Sequence, residues 1–485
     1  MRGLMIRALC GLAVTGCFLC LAAGEDRKQE RQMFVRVSTR DSRYFELSDG
    51  RPYVPIGLNV IQPADGGMED MKRWLGKLAA NRGNYCRIWL SSPFFDVEHA
   101  RSGEYDADRA KRIDELLALA RKHGIRLKLC LEHFRRLTGG SRPWITKPLH
   151  HVSQGGPAKD IAEFLDSPRC REQFKRKLAW YVGRYGSDPT VFGWELWNEM
   201  NCVHAGDWMK WTEIMLEELH RLFPKNLAMQ SLGSFDHERK RTFYRSICVM
   251  KGNDVAQVHR YLDLGASLKV CHGPADVLAA DAVRELRAFD CGRPILLAES
   301  GAVEKSHSGP FKLYQKDTDG IILHDVLFAP FFAGAAGPGH IWHWGVYVDR
   351  MNLWHHFDRF AEAIDGLDPP AEGFEPIELA HDRLRILALK GKRTFLAWCR
   401  DSENTWTAEL GEGKAPQRVR GAAIDLSKHA DWLAGGAARA YDPWANRWSK
   451  AQVEGGRIVL PEFSRSIVVR IGRPGRDRKV GQPDA

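Results

Sequence analysis

The chain has 485 residues, a net charge of +10, 44% apolar and 27% charged residues, and sixteen Trp. That length implies more than one domain, or one large domain plus a small one, and the composition is that of an ordinary soluble globular protein. Much of the positive charge sits at the ends (Arg2, Arg7, Arg473, Arg476, Arg478, Lys479), and no basic stripe is interleaved with aromatics, so a nucleic-acid partner is not expected.

Arg2 and Arg7 precede an apolar run over 8–23, and small residues Ala22-Ala23-Gly24 lead into Glu25-Asp26-Arg27. This is the pattern of a secretory signal peptide over 1–24, and it predicts a secreted, periplasmic or cell-surface protein. Val14-Thr15-Gly16-Cys17 resembles a lipoprotein box, which makes a lipid anchor at Cys17 the second reading. No stable membrane span is expected, because the run falls short of the roughly 20 residues needed. Cys10, Cys17 and Cys20 belong to this segment. The other eight cysteines are scattered singly, with no metal-ligand spacing, and their disulfide pairing stays open.

The next residues read as a hairpin: Tyr44-Phe45-Glu46-Leu47 and Tyr53-Val54-Pro55-Ile56 flank the turn signal Ser48-Asp49-Gly50-Arg51. The second arm runs into a first strand over 57–60. Met71, Trp74, Leu75 and Leu78 then have the spacing of one buried helix face. A second strand, 85–90, carries Arg87 inside an otherwise apolar run. After a helix built on Ile113, Leu116, Leu117 and Ala120, and ended at His123-Gly124, a third strand over 127–134 closes with Glu132-His133. Residues 135–158 form a long loop, of the kind that is usually functional; it reads as a cleft wall. Its His150-His151 pair reads as polar surface rather than as a metal site.

A helix over 169–185 leads to a fourth strand ending Gly193-Trp194-Glu195-Leu196-Trp197-Asn198-Glu199. Trp208, Trp211, Met215, Leu219 and Leu222 follow at helical spacing and read as core. Strands are expected over 227–235, over 255–262 with His259-Arg260-Tyr261, over 294–301 with Glu299, and over 340–347 with Trp342 and Trp344. Helices separate them over 275–289 and 323–333, and one over 353–367 closes the set. Strand and helix alternate about eight times over roughly 310 residues, which fits a (β/α)8 TIM barrel over 34–368. A doubly wound open sheet is the runner-up, but the first strand is followed by no glycine pattern for a phosphate. Past the linker Asp368-Pro369-Pro370-Ala371-Glu372-Gly373 the pattern changes to short strands, over 384–389, 394–399, 405–410, 438–441, 457–460 and 466–471. A small antiparallel β domain is expected over 373–472, then a disordered basic tail over 473–485.

Glu199 and Glu299 each end an apolar strand. A buried carboxylate is costly unless paired, and in parallel α/β proteins active sites lie at the carboxyl ends of strands. Taken singly, each is read equally well as a strand-end residue in a salt bridge. Two carboxyls at one end of one sheet are the minimum apparatus of glycoside hydrolysis.

With these residues in view, the chain resembles the retaining β-glycoside hydrolases of the cellulase and mannanase family (glycoside hydrolase family five) and its wider clan. The resemblance covers most of 34–368 and is most specific at Glu195-Leu196-Trp197-Asn198-Glu199. Two positions depart from the family pattern: Met200, where Pro is usual, and Phe192, where a smaller aliphatic is usual. The resemblance implies Glu199 as acid/base and Glu299 as nucleophile. It also implies that Arg87 orients the nucleophile, His133 lines the sugar subsite, Asn198 bonds the 2-hydroxyl, and His259 and Tyr261 steer the carboxyls. Trp344 would be the stacking platform, with Trp342 a rival two residues away. No cofactor or metal is implied, and a monomer acting on a mannan- or glucan-type carbohydrate is expected. A non-catalytic carbohydrate-binding protein on the same scaffold, and a transglycosylase using the same site, are the alternative readings.

Overall fold

The structure, a computed structural model, describes residues 32–133, 148–432 and 437–472. The expected signal peptide with Cys17, residues 135–147 of the long loop and the expected basic tail lie outside the described residues. Among the described residues no helix is long and apolar enough to cross a membrane.

Five short strands pair in parallel and in sequential order: Gly57–Asn59, Tyr85–Trp89, Arg126–Glu132, Val191–Trp197 and Leu227–Met229. Sequential order without a reversal is not that of a doubly wound sheet. Two further parallel strands are Ala256–His259 and Ile295–Glu299. Backbone bonds bridge the gaps: Asp254 N to Ala228 O at 2.9 Å, Phe235 N to His259 O at 2.7 Å, Ser300 N to His340 O at 3.0 Å and Asn59 N to Ile341 O at 3.1 Å. Hydrogen bonds thus run from segment to segment and return to the first strand.

Every residue of the Tyr85–Trp89, Arg126–Glu132, Val191–Trp197 and Ile295–Glu299 strands is buried. Burial on both faces explains why these strands read as continuous apolar runs. Helices lie between them. Ala107–His123 is stopped cleanly at both ends: the Asp106 side chain accepts from the N–H groups of Asp108 and Arg109, and Gly124 takes the left-handed φ of 70° that ends a helix without strain.

The expected hairpin is part of a three-stranded antiparallel sheet, Val35–Val37, Phe45–Leu47 and Pro52–Tyr53. It packs under the amino ends of the parallel strands. Phe192, unusual by family pattern, packs there edge-on against Phe45 and Tyr85, each at 5.2 Å between ring centres. Its larger side chain fills this junction.

Two expected strands are absent. Of 340–347, only Ile341 bridges to Ser300 as a strand would, and Trp344–Asp349 is a wide π-type helical turn. The Tyr347 hydroxyl donates to the buried Asp317 at 2.5 Å and its ring stacks on Tyr314 at 3.9 Å, which holds that turn inward. Likewise 405–410 is not extended; Trp406 turns in and donates Nε1–H to Gly273 O at 2.9 Å.

The carboxyl-terminal region is a six-stranded antiparallel sheet, in the order Glu375–Ile377, Leu384–Lys390, Thr394–Asp401, Ser466–Gly472, Ala437–Asp442 and Arg447–Lys450, with small two- and three-stranded sheets beside it. Helix Ile321–Phe332, buried along its whole length, lies between this sheet and the parallel strands. Phe328 stacks on Trp398 at 5.9 Å. Asp325 pairs with the buried Arg400 at 2.8 Å, and Asp276 accepts two bonds from Arg385 at 2.6 and 2.9 Å.

Candidate active site

Strand Val191–Trp197 delivers Glu195, Asn198 and Glu199 in succession. Glu199 itself has φ 54° and ψ 53°, a left-handed conformation that costs a residue other than glycine about 1–3 kcal/mol. Ser231 holds it there. Its Oγ accepts the Glu199 N–H at 3.1 Å and its carbonyl accepts the Met200 N–H at 3.2 Å. A proline at 200 could not make the second bond. Glu299 ends its own strand next to a register shift that sets it opposite His259.

Six of the expected residues form one hydrogen-bonded cluster. Arg87, fully buried, donates Nη1–H to Glu299 and Nη2–H to Asn198 Oδ1 at 2.7 Å. The Tyr261 hydroxyl donates to Glu299 Oε2 at 2.8 Å. His259 Nδ1 lies 3.0 Å from Glu199 Oε1 and 3.3 Å from Glu299 Oε2. One oxygen of each carboxyl and a ring nitrogen of His259 all lie within 4.8 Å of one another.

The two carboxyls have different surroundings. Burial raises the pKa of Glu199 and the charge of Glu299 raises it further, to about 8. Burial also raises Glu299, but Arg87 and the Tyr261 hydroxyl oppose it. The shared proton therefore belongs on Glu199. Burial, then the positive charge of Arg87, holds His259 well below the usual imidazole range, so it stands neutral between the pair.

The remaining expected residues lie beside this cluster. His133 stacks on Trp89 at 4.7 Å between ring centres, and its Nδ1 is 2.7 Å from Ser91 Oγ. Trp342, half-buried, also meets Trp89, at 5.3 Å, and Trp89 in turn lies beside the Arg87 guanidinium at 5.8 Å. Trp344 touches Trp342 at 5.9 Å but packs edge-on against Trp74 of the first helix at 6.3 Å. Because the extended segment stops at Ile341, the two half-buried indoles do not share a strand face: Trp342 meets Trp89, and Trp344 meets Trp74.

Among the described residues, two groups of side chains converge as metal ligands might be asked to: Glu199, His259 and Glu299, and Glu98, Glu132 and His150. In the first, Arg87 already supplies the positive charge. In the second, the Lys177 ammonium does, paired with Glu132 and 3.0 Å from Glu98. His150 is buried there, with Nδ1 2.5 Å from Ser102 Oγ, instead of lying on the surface as expected. His151 caps a short turn by accepting the Ser153 N–H.

Sequence reading passed over Glu195, Lys128, Ser231 and Asn59. Glu195 takes two bonds from Arg87, at 2.7 and 3.0 Å. Lys128 stands 3.4 Å from Glu195 Oε2. The signal for Lys128 was available: like Arg87, it is a cation inside an apolar strand. All eight described cysteines are free thiols.

No family model matches the chain. Among curated proteins it is similar to the mannan endo-1,4-beta-mannosidase 3 of Oryza sativa subsp. japonica, 27% identical over 341 residues, covering 63% of this chain and 68% of that protein. It is also similar to mannan endo-1,4-beta-mannosidase 2 of the same species, 29% identical over 216 residues, where it spans about half (48%) of the relative's length. Among solved structures, a glycoside hydrolase family 5 protein from Bacteroides vulgatus shares its fold, with a TM-score of 0.57 at 12% identity over 92% of this chain and 94% of that one. The resemblance to the cellulase and mannanase family, and the expectation of a glycosidase, agree with these relatives.

Proposed function

We propose that this chain, a relative of the cellulase and mannanase family of glycoside hydrolases (family five), is an exported retaining β-glycosidase of mannan-type glycans built on a (β/α)8 barrel. The observation that carries the reading is the close, unequal pair: Glu299 held by Arg87 and Tyr261, with Glu199 beside it raised to about 8. Retaining enzymes place their carboxyls about 5–5.5 Å apart, and inverting ones leave about 6.5–9.5 Å for a water. Side-chain oxygens within 4.8 Å favour retention.

In the first step the Glu299 carboxylate attacks the anomeric carbon. The bond to the leaving oxygen breaks as Glu199 transfers its proton to that oxygen, leaving a covalent glycosyl ester on Glu299. Loss of the Glu299 charge lowers the proton affinity of Glu199, which can then act as base. In the second step Glu199 takes a proton from water, the water oxygen attacks the anomeric carbon, and the ester bond breaks to return the Glu299 carboxylate with net retention. Asn198 spends Oδ1 on Arg87, leaving its amide N–H groups for the sugar's 2-hydroxyl. Trp342 offers an indole face to the sugar ring.

The amino-terminal pattern supports export, and the curated relatives named above support mannan as substrate. The test is hydrolysis of β-mannan, β-glucan and their oligosaccharides, with the first-formed anomer read by proton NMR. Release of the β-anomer by the parent protein, lost in Glu199→Ala and Glu299→Ala, is the expected result. Sugar binding without turnover across the panel would establish the non-catalytic alternative instead.

A further inference from the structure

Beneath the reacting carboxyls lies a second layer of charge. Lys128, Glu195 and Arg87 have no exposed surface. Lys128 Nζ donates to Gln257 Oε1 and stands 3.4 Å from Glu195 Oε2. Glu195 grips the edge of the guanidinium from below, accepting from Nε at 2.7 Å and Nη2 at 3.0 Å. The remaining N–H groups of Arg87 point onward to Glu299, to Asn198 at 2.7 Å and to Asn59 at 3.3 Å. Read upward, the charges alternate: Lys128 positive, Glu195 negative, Arg87 positive, Glu299 negative.

We propose that Lys128 and Glu195 are positioning residues of the hydrolytic site, a buried counter-charge pair that aims the Arg87 guanidinium and divides its charge between Glu195 and the nucleophile. This rests on the glycosidase reading given above. A bidentate carboxylate fixes both the plane and the rotation of a guanidinium, so Glu195 decides which N–H groups face Glu299 and Asn198. It also competes with Glu299 for the same positive charge, and its own negative charge raises Glu299. Lys128 offsets that competition by neutralising Glu195 from the far side. Packing alone would not require this arrangement, because an apolar filling of the strand interior avoids desolvating ions altogether.

The two members act on Glu299 with opposite sign. Glu195→Gln keeps the shape but removes the competitor, so the whole charge of Arg87 falls on Glu299 and its protonation moves to lower pH. Lys128→Met leaves Glu195 and Glu299 sharing one guanidinium, so protonation of Glu299 moves to higher pH. At these separations each change is on the order of one pH unit. The experiment reads the acid limb of kcat/KM on an aryl β-mannoside or manno-oligosaccharide for parent, both single variants and the Lys128→Met/Glu195→Gln double variant. The same protonation is followed without substrate by carboxyl-carbon NMR of glutamate-labelled protein, the Glu299 signal being assigned by its loss in Glu299→Gln.

Opposite shifts in the single variants, with the double variant between them and its kcat reduced tenfold or more at a KM within twofold, are expected. Limbs and NMR titrations that stay in place, or move in the same direction, overturn the inference. Should a single variant fail to fold, the double variant leaves no unpaired charge, and an unchanged kcat in it overturns the inference equally. A parent that turns over no glycoside defeats the glycosidase reading, and the NMR titration still decides the charge coupling.

Discussion

Two regions of the molecule bury several carboxylates beside arginine, and they do it with different arithmetic. At the carboxyl ends of the parallel strands, three carboxyls (Glu195, Glu199, Glu299) share two cations, Arg87 and Lys128. One carboxyl is left over, and the one without a cation beside it, Glu199, keeps a proton. Where helices Ala275–Arg287 and Ile321–Phe332 meet the carboxyl-terminal sheet, two carboxylates, Asp276 and Asp325, meet two guanidiniums, Arg385 and Arg400. Burial pushes Asp325 upward there too, and Arg400 opposes it. The first region has an uncompensated and partly exposed acid, Glu199; the second is matched, and His324 beside it bonds Ser466 at 2.8 Å. Burial of charge is common to both, so burial does not mark the candidate site. What sets it apart is that its left-over acid stands beside a second carboxyl, Glu299, through the shared His259.

The comparison breaks most visibly at the carboxyls themselves. Glu299→Gln and Glu199→Gln are each expected to lower kcat by roughly 10²–10⁴-fold or more, measured on manno-oligosaccharides, whereas Asp325→Asn is expected to leave kcat within twofold. Next come the arginines. Removing either partner of a buried pair costs about 3–5 kcal/mol, so Arg87→Met and Arg400→Met should both lower the denaturation midpoint strongly. Only the Arg87 variant should also lose turnover in the fraction that remains folded.

A smaller effect sharpens the role of the left-over proton. Glu199 has a folded pKa of about 8 against an ordinary 4.5. Between those values the folded state binds more protons than the unfolded one, so stability falls as pH rises through that window. Glu199→Gln removes the titration, and its gain in melting temperature over the parent should be larger at pH 8 than at pH 5. The same proton sets the alkaline limb of kcat/KM near pH 8 in the parent, and a limb that persists in Glu199→Gln would remove Glu199 from the acid's role. The smallest effect concerns the two indoles. Trp342→Ala should raise KM by up to roughly tenfold, the scale of one aromatic contact, and Trp344→Ala by less, since its ring is committed to Trp74.

The C-terminal sheet fits the same comparison. One face of it joins the apolar core of the parallel-strand region, through Leu389, Leu396, Trp398 and Val468 among others, while its other face has a core of its own around Phe395, Ile458 and Val469. This favours a bracing role over an independent glycan-binding one.

Much of this was written in the order of residues. Continuous apolar strands alternating with helices specify parallel pairing, because only strands covered on both faces dispense with a polar side. A Glu that ends such a strand, twice, marks where chemistry is placed. Arg87 stood out for the same reason Lys128 should have: a cation in an apolar run must meet an anion. The two misread strands, 340–347 and 405–410, have apolar content that suits a strand or a buried turn equally. What chose the turn was a distant partner, Asp317 for Tyr347 and Gly273 for Trp406. The proton's owner was implied by the family resemblance and not by local pattern. Glu199 and Glu299 look alike along the chain, and they differ only because Arg87 and Tyr261, from other strands, reach one of them. Local pattern is a property of neighbours in sequence, while the energy of a buried charge is set by whatever lies within a few ångströms, and folding alone decides that.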